Sequence, residues 1–313
     1  MMERERPHET PPLRFVDRPT GAVLVEPVFR ERALRFIHET RLGRCANALL
    51  LSRRAFSVCF GGLDRLRRTR RKIPDFIRSL GIDPTEADRP LEDYRSLDDF
   101  FTRRLKPEAR PIDRDPAHLV SPADGRVLVL PRLDGDRFSV KASSVTLAEL
   151  LGDARLADRY LGGTGFIIRL APADYHRFHF PDSGEAGPSS ALGRRLYSVH
   201  PIALATGAPS FRNRRVISHL DTEAFGRLTL IEIGAQAVGT ILETYHPGRV
   251  DRGAEKGYFR FGGSTVVLLA EPGRILPDVD LVRASTRGVE VQGGTTGPIE
   301  TLVRMGTRIA CRA

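Results

Sequence analysis

Three short segments hold the residues that could do chemistry. Phe261-Gly262-Gly263-Ser264-Thr265 lies between two apolar runs and reads as a tight turn. A Gly-Gly pair there suits an ordinary hairpin. It also suits a serine hydroxyl attacking its own preceding carbonyl, because glycine lacks the Cβ that opposes a sharply bent backbone. Asp174-Tyr175-His176-Arg177-Phe178-His179 sets two histidines three residues apart. Imidazole titrates near neutral pH and suits general acid–base work; two histidines satisfied by backbone groups are the plainer alternative. No third histidine or carboxylate accompanies them at a ligand spacing, so no metal is expected. Ser121-Pro122-Ala123-Asp124-Gly125-Arg126 places Asp124 at a glycine turn opening a strand. Asp124 is either a common turn aspartate or a carboxylate that orients an imidazole.

Together the segments supply Asp124, His179 and Ser264, the residue types of a hydrolytic triad. Ser264 lacks the Gly-x-Ser-x-Gly elbow, and strand rather than helix continues after it. A nucleophile in a tight β turn fits attack on its own chain better than attack on a bound ester. A serine hydrolase remains the rival reading, separable because a hydrolase stays one chain.

The elements that must position these groups are mostly strands. From Val120 onward the chain alternates short apolar runs with Gly, Pro or Asp: Arg126–Leu130, Arg137–Val140, Gly165–Leu170, Val216–Asp221, Arg227–Ile233, Val238–Leu242, Tyr258–Phe261, Thr265–Leu269 and Val289–Gln292. Such spacing predicts a sandwich or barrel-like β body, interrupted by one helix over Thr146–Leu151. Before it, Leu91–Leu105 reads as a helix with Ser96 as N-cap. Cys45–Leu66 shows apolar residues at helical spacing beside an arginine-rich flank, the pattern of a helix lying in a lipid headgroup layer or of a packed helix with a solvated basic face. The fold class expected is α+β, with a helical, basic region over 1–110 and a β catalytic domain over 111–313.

Composition narrows the class. The chain has 313 residues, 41% of them hydrophobic, and a net charge of +10. Ten basic and only two acidic residues fall between Arg44 and Arg78, so most of the net charge sits in one segment. A nucleic-acid protein or a membrane-surface protein would both show this; the absence of interleaved Tyr or Trp argues against single-strand binding. Three cysteines, Cys45, Cys59 and Cys311, do not suggest a disulfide framework. No apolar run is long enough to span a membrane, and the charged Met1–Thr10 stretch does not read as a signal peptide. A cytoplasmic-side location is expected.

The motifs resemble those of the pyruvoyl-dependent phosphatidylserine decarboxylase proenzymes. The blocks are Ser96-Leu97-Asp98-Asp99-Phe100-Phe101-Thr102-Arg103-Arg104-Leu105-Lys106-Pro107, Ser121 to Gly125, Asp174 to His179, Leu196-Tyr197-Ser198-Val199, Phe259 to Leu269, and Ile299-Glu300-Thr301. The resemblance runs from about Ile73 to Ile309. It departs at Gly262, where many bacterial members have Leu, and at His200, where Asn is usual.

That resemblance implies self-cleavage between Gly263 and Ser264, giving a β chain 1–263 and an α chain 264–313. Ser264 would become a covalent pyruvoyl group, the only cofactor. The pyruvoyl would form a Schiff base with phosphatidylserine and release CO2 to leave phosphatidylethanolamine. Asp124 and His179 would assist Ser264, and His176 would act at the substrate carboxylate. An electron sink is required on chemical grounds, because unaided side chains offer none for decarboxylating an α-amino acid. The resemblance further implies a β body like the barrel-sandwich of lipoyl and biotinyl carriers, a homodimer, and a peripheral place on the cytoplasmic side of the cell membrane against anionic phospholipid, with no nucleic-acid partner.

Overall fold

Two largely apolar runs set the centre of the molecule. Ser264–Ala270 and Thr164–Leu170 are strands buried along their whole length, as expected of strands covered on both faces. The computed structural model describes residues 13–27, 65–133, 137–140, 143–197, 209–235, 240–260, 262, 264–291 and 294–313. Gly263 and His200 lie outside the described residues, as does the helix expected over Cys45–Leu66 except for its last two residues.

The two central strands pair antiparallel, with Ser264 opposite Leu170 and Ala270 opposite Thr164. Gly226–Gly234 flanks the first and Gly125–Leu130 the second, both antiparallel. Arg215–Thr222 and Glu300–Val303 extend the sheet outward. Among the described residues the eleven-stranded sheet ends in two free edges, Gly248–Val250 and Val23–Val25, and does not close into a barrel.

Alternation along the strands divides the core into two layers. Val266 and Leu268 pack with Phe166, Ile168, Leu230, Phe178 and Phe259 on one face. Val267 and Leu269 pack with Ile167, Ile231, Ile233, Leu150 and Tyr160 on the other. Each such side chain contributes roughly 1.5–3 kcal/mol by leaving water. The helix Leu147–Leu151, expected over Thr146–Leu151, covers the second face; Thr146 and Glu149 cap it reciprocally. A smaller sheet of Ile241–Glu243, Glu255–Phe259 and Arg177–His179 lies against the first face.

Three expectations need correction. Leu91–Leu105 is not one helix: a single 3-10 turn, Leu91–Asp93, precedes a five-residue helix, Leu97–Phe101. Ser96 does cap it, its Oγ accepting from Asp99 N at 3.2 Å, and the extended backbone of that cap is what separates the two pieces. Residues 1–110 are not only helical. Arg14–Asp17 joins the main sheet parallel to Glu300–Val303, and Val23–Val25 pairs with it. The helix Val279–Arg287 was not foreseen, because only Leu281, Ala284 and Ser285 turn inward. The helical part of the N-terminal region packs Ile73, Phe76, Leu80, Tyr94, Leu97, Phe100 and Phe101 into its own cluster. No described helix is long and apolar enough to cross a membrane.

Candidate active site

Ser264 is the first residue of its strand, held between Leu170 on one side and Gly234 on the other. By alternation it faces the layer of Val266 and Leu268. Its Oγ is buried and has no hydrogen-bond partner among the described residues. Leaving a buried hydroxyl unpaired costs about 1–3 kcal/mol, a cost that Ser218 and Thr301 share. Asn213, wholly buried, anchors the neighbouring strand end: its Nδ2 donates to the Gly234 carbonyl at 2.8 Å and to that of Tyr197 at 2.7 Å. On the other side of the turn Gly262 has φ 148°, a conformation that favours glycine.

His176 sits beside the same turn. The strand ending at Leu170 runs into a turn closed by Asp174, whose Oδ2 accepts from Ala171 N at 2.6 Å and which also pairs with Arg126. The His176 carbonyl then accepts from Phe259 N at 2.9 Å, tying it to the strand that leads into the glycine turn. The ring is fully buried, with the Phe101 ring 3.9 Å away between centroids. Its Nδ1 lies 2.9 Å from the Asp174 carbonyl, which can only accept. Nδ1 therefore carries the proton, and the neutral ring has its lone pair at Nε2. That Nε2 is buried without a partner. Burial pushes the ring down to about 3; the backbone carbonyls of Asp174 and Gly262 pull the other way and the charge of Arg103 pushes further down.

His179 is placed by its backbone, whose N–H donates to the Pro122 carbonyl at 2.7 Å and so ties it to the Asp124 turn. Its ring stacks on Tyr175 at 5.7 Å, and its Nδ1 is buried and unpaired. Burial depresses it to about 4, against the opposing charges of Glu255 and Asp124. Both histidines are thus neutral near pH 7. His179 also borders a cavity of about 370 Å³ lined by Lys106, Arg110, Arg114, Tyr175 and Met305.

Asp124 is nearly buried, but its carboxylate belongs to Arg110 and to the backbone. Arg110 Nε lies 2.9 Å from both oxygens and Nη2 2.6 Å from Oδ2, while Met305 N donates to Oδ1 at 2.8 Å. Asp124 acts on His179 through its charge. Among the described residues no hydrogen bond links Asp124 to His179, and none links Ser264 to either histidine. The structure thus places Asp124 and His179 on one backbone-linked turn, and His176 and Ser264 around one glycine turn. It does not join Asp124, His179 and Ser264 into a hydrogen-bonded chain. Sequence reading missed Arg110, which falls in a proline-punctuated linker, and it named Phe101 and Arg103 only within a motif. Among the described residues no three His, Cys, Asp or Glu side chains cluster as a metal site. The arrangement holds a buried serine hydroxyl and two neutral imidazoles, the group types of a nucleophile and of proton carriers.

A family model for phosphatidylserine decarboxylase matches residues 97–309. The chain is 48% identical over 281 residues to a phosphatidylserine decarboxylase proenzyme of Chlamydia muridarum, an alignment covering 89% of this chain and 93% of the relative. It is 43% identical to that of Chlamydia trachomatis serovar L2, with the same coverage, and 40% identical to that of Chlamydia pneumoniae, covering 89% and 94%.

Proposed function

The chain belongs to the phosphatidylserine decarboxylase family, and we propose that it matures by cutting itself between Gly263 and Ser264. Its activity is the pyruvoyl-dependent removal of CO2 from phosphatidylserine to give phosphatidylethanolamine. The observation that carries the assignment of the residues is the buried, unpartnered Ser264 Oγ beside a glycine turn and two neutral, part-unpaired histidines.

In this reading Ser264 Oγ attacks the Gly263 carbonyl and its proton passes to His179. The peptide nitrogen leaves, and an ester joins Gly263 to Ser264. Loss of the Ser264 α-proton expels the Gly263 carboxylate, and one water then releases ammonia, leaving the pyruvoyl cap on 264–313. Asp124 supports the base through its charge and holds its turn through Arg110 and Met305. The residues present fit the group: a serine opens a buried strand and an unpaired imidazole nitrogen lies beside the same turn. Bound there, the pyruvoyl supplies a carbonyl that draws off the electron pair left when CO2 departs. His176, neutral with its lone pair at Nε2, takes or returns a proton at that atom. The apolar cover of Phe101 keeps water off it.

The test is the intact mass of the purified protein. Two pieces, 1–263 and a pyruvoyl-capped 264–313, support the reading; one uncut chain, or a cut elsewhere, overturns it. Ser264→Ala should remain a single chain.

The reading extends to a peripheral protein on the cytoplasmic face of the membrane, working as a homodimer, with 1–110 the membrane-associating part and 111–313 the catalytic domain. The exposed run Arg67, Arg68, Arg70, Arg71 and Lys72 supports the membrane part. Each such residue near an anionic surface contributes about 1 kcal/mol. The two hydrophobic layers on either face of the central strands support a carrier-like sandwich, in open form.

A further inference from the structure

We infer that Arg103 binds an oxyanion of the substrate headgroup. Its side chain is 96% buried, since the residue is only 4% exposed. Its guanidinium lies over the Phe100 ring at 4.9 Å. Among the described residues Nη1 has no hydrogen-bond partner, and Nη2 reaches only the Ala173 carbonyl, at a long 3.4 Å. Other buried arginines of this body have a carboxylate or several carbonyls beside the guanidinium, although Arg126 Nε, like Arg103 Nη1, makes no hydrogen bond among the described residues. Arg110, Arg126, Arg169 and Arg252 each have a carboxylate in contact. Arg215 has none, but donates to the carbonyls of Leu150, Asn213 and Glu149. Among the described residues, Arg103 makes no ion pair.

A guanidinium stays charged at any pH the protein meets. Burying that charge without a partner costs several kcal/mol, so the free protein holds a site that an anion would complete. The place is informative. Arg103 follows the helix whose Phe101 covers His176, and it reaches the Ala173 carbonyl at the head of the turn that sets His176. Its charge is felt by His176. The planar fork of arginine matches a carboxylate or a phosphate in two-point contact.

The substrate headgroup carries both anions, the carboxylate that is lost and the phosphodiester that remains. The inference rests on the site assignment above, and its test separates the two. Mature enzyme is assayed on soluble short-chain phosphatidylserine, with wild type, Arg103→Met and Arg103→Lys compared. Thermal melting is measured with dimethyl phosphate or propionate, amine-free probes that carry one anion each. Intact mass shows whether each variant is cut at Gly263–Ser264, which reports on the site assignment independently.

Arg103→Met should be cut, and should melt no lower than wild type because it removes an unpaired buried charge. Its KM should rise roughly 10- to 100-fold, the range of one charge-assisted hydrogen bond, with Arg103→Lys in between. One probe should raise the melting temperature of wild type but not of Arg103→Met; dimethyl phosphate would assign the phosphodiester, propionate the carboxylate. If neither probe shifts wild type, the inference is wrong, even should Arg103→Met fail to fold. A folded Arg103→Met with unchanged KM also overturns it.

Discussion

Arg110 grips Asp124 with Nε 2.9 Å from both carboxylate oxygens, so the aspartate reaches His179 through charge and not through a hydrogen bond. In the proposed self-cleavage this makes Arg110 a positioning residue. It also partly cancels the charge that would raise the basicity of His179.

Arg110→Gln should therefore expose His179 to an uncompensated Asp124 charge and raise its pKa from about 4. Cleavage needs the neutral ring, so the fall in cleavage rate on acidification should begin at a higher pH than in wild type. Timed gels from pH 4 to 7 read this directly. Coincident profiles would mean that Arg110 only holds the turn together.

The two histidines should separate by stage. His179→Ala should slow cleavage by roughly 10² to 10⁴, the usual contribution of a general base. His176→Ala should still be cut but decarboxylate poorly. Mass spectrometry and CO2 release distinguish these outcomes. Accumulation of uncut His176→Ala would give His176, whose ring feels the Gly262 carbonyl, the cleavage role instead.

Acid should weaken the fold through the same rings. In the unfolded chain each imidazole takes a proton near 6.5, but in the fold only near 3 for His176 and 4 for His179. Below 6.5 the unfolded state binds more protons, so stability falls as the pH drops from 6.5 through 4 toward 3. Urea midpoints of uncut Ser264→Ala should decline over that range. Adding His176→Asn and His179→Asn should flatten the decline; an equally steep one would place its cause elsewhere.

Lys256 and Glu232 form an ion pair at 2.8 Å with both side chains fully buried. Glu232→Ala leaves the buried ammonium with only Glu243 Oε1, 3.4 Å away, and should destabilise by about 3 kcal/mol, whereas Glu232→Leu with Lys256→Met should recover most of that. Denaturant melts of wild type, Glu232→Ala and the double variant test it, and a double variant no better than Glu232→Ala would refute it.

The exposed arginines of Arg67–Lys72 should matter only at the membrane. Replacing Arg67, Arg68, Arg70 and Arg71 by Gln should lower sedimentation with anionic vesicles while leaving cleavage intact. Unchanged sedimentation would reduce the run to a solvated face.

Much of this was legible in the order of residues. The apolar stretches Val266–Leu269 and Phe166–Ile168 announced the central strands, because a strand buried on both faces shows little polar alternation. The glycines before Ser264 and the paired histidines marked the turn and its bases, because those residue types are scarce and chemically specific. The partners of those groups were not legible. Asp124 takes its hydrogen bonds from Arg110 and from Met305, the latter 181 residues away, and Phe101 covers His176 from a separate helix. The strand Arg14–Asp17 is four residues long and joins the main sheet because Glu300–Val303, far along the chain, offers it a parallel edge. Local pattern reports which face a residue turns to the core. Which charges meet there, and which one, like Arg103, has no carboxylate partner among the described residues, is decided when distant segments are packed into a medium too poor in water to forgive an unpaired group.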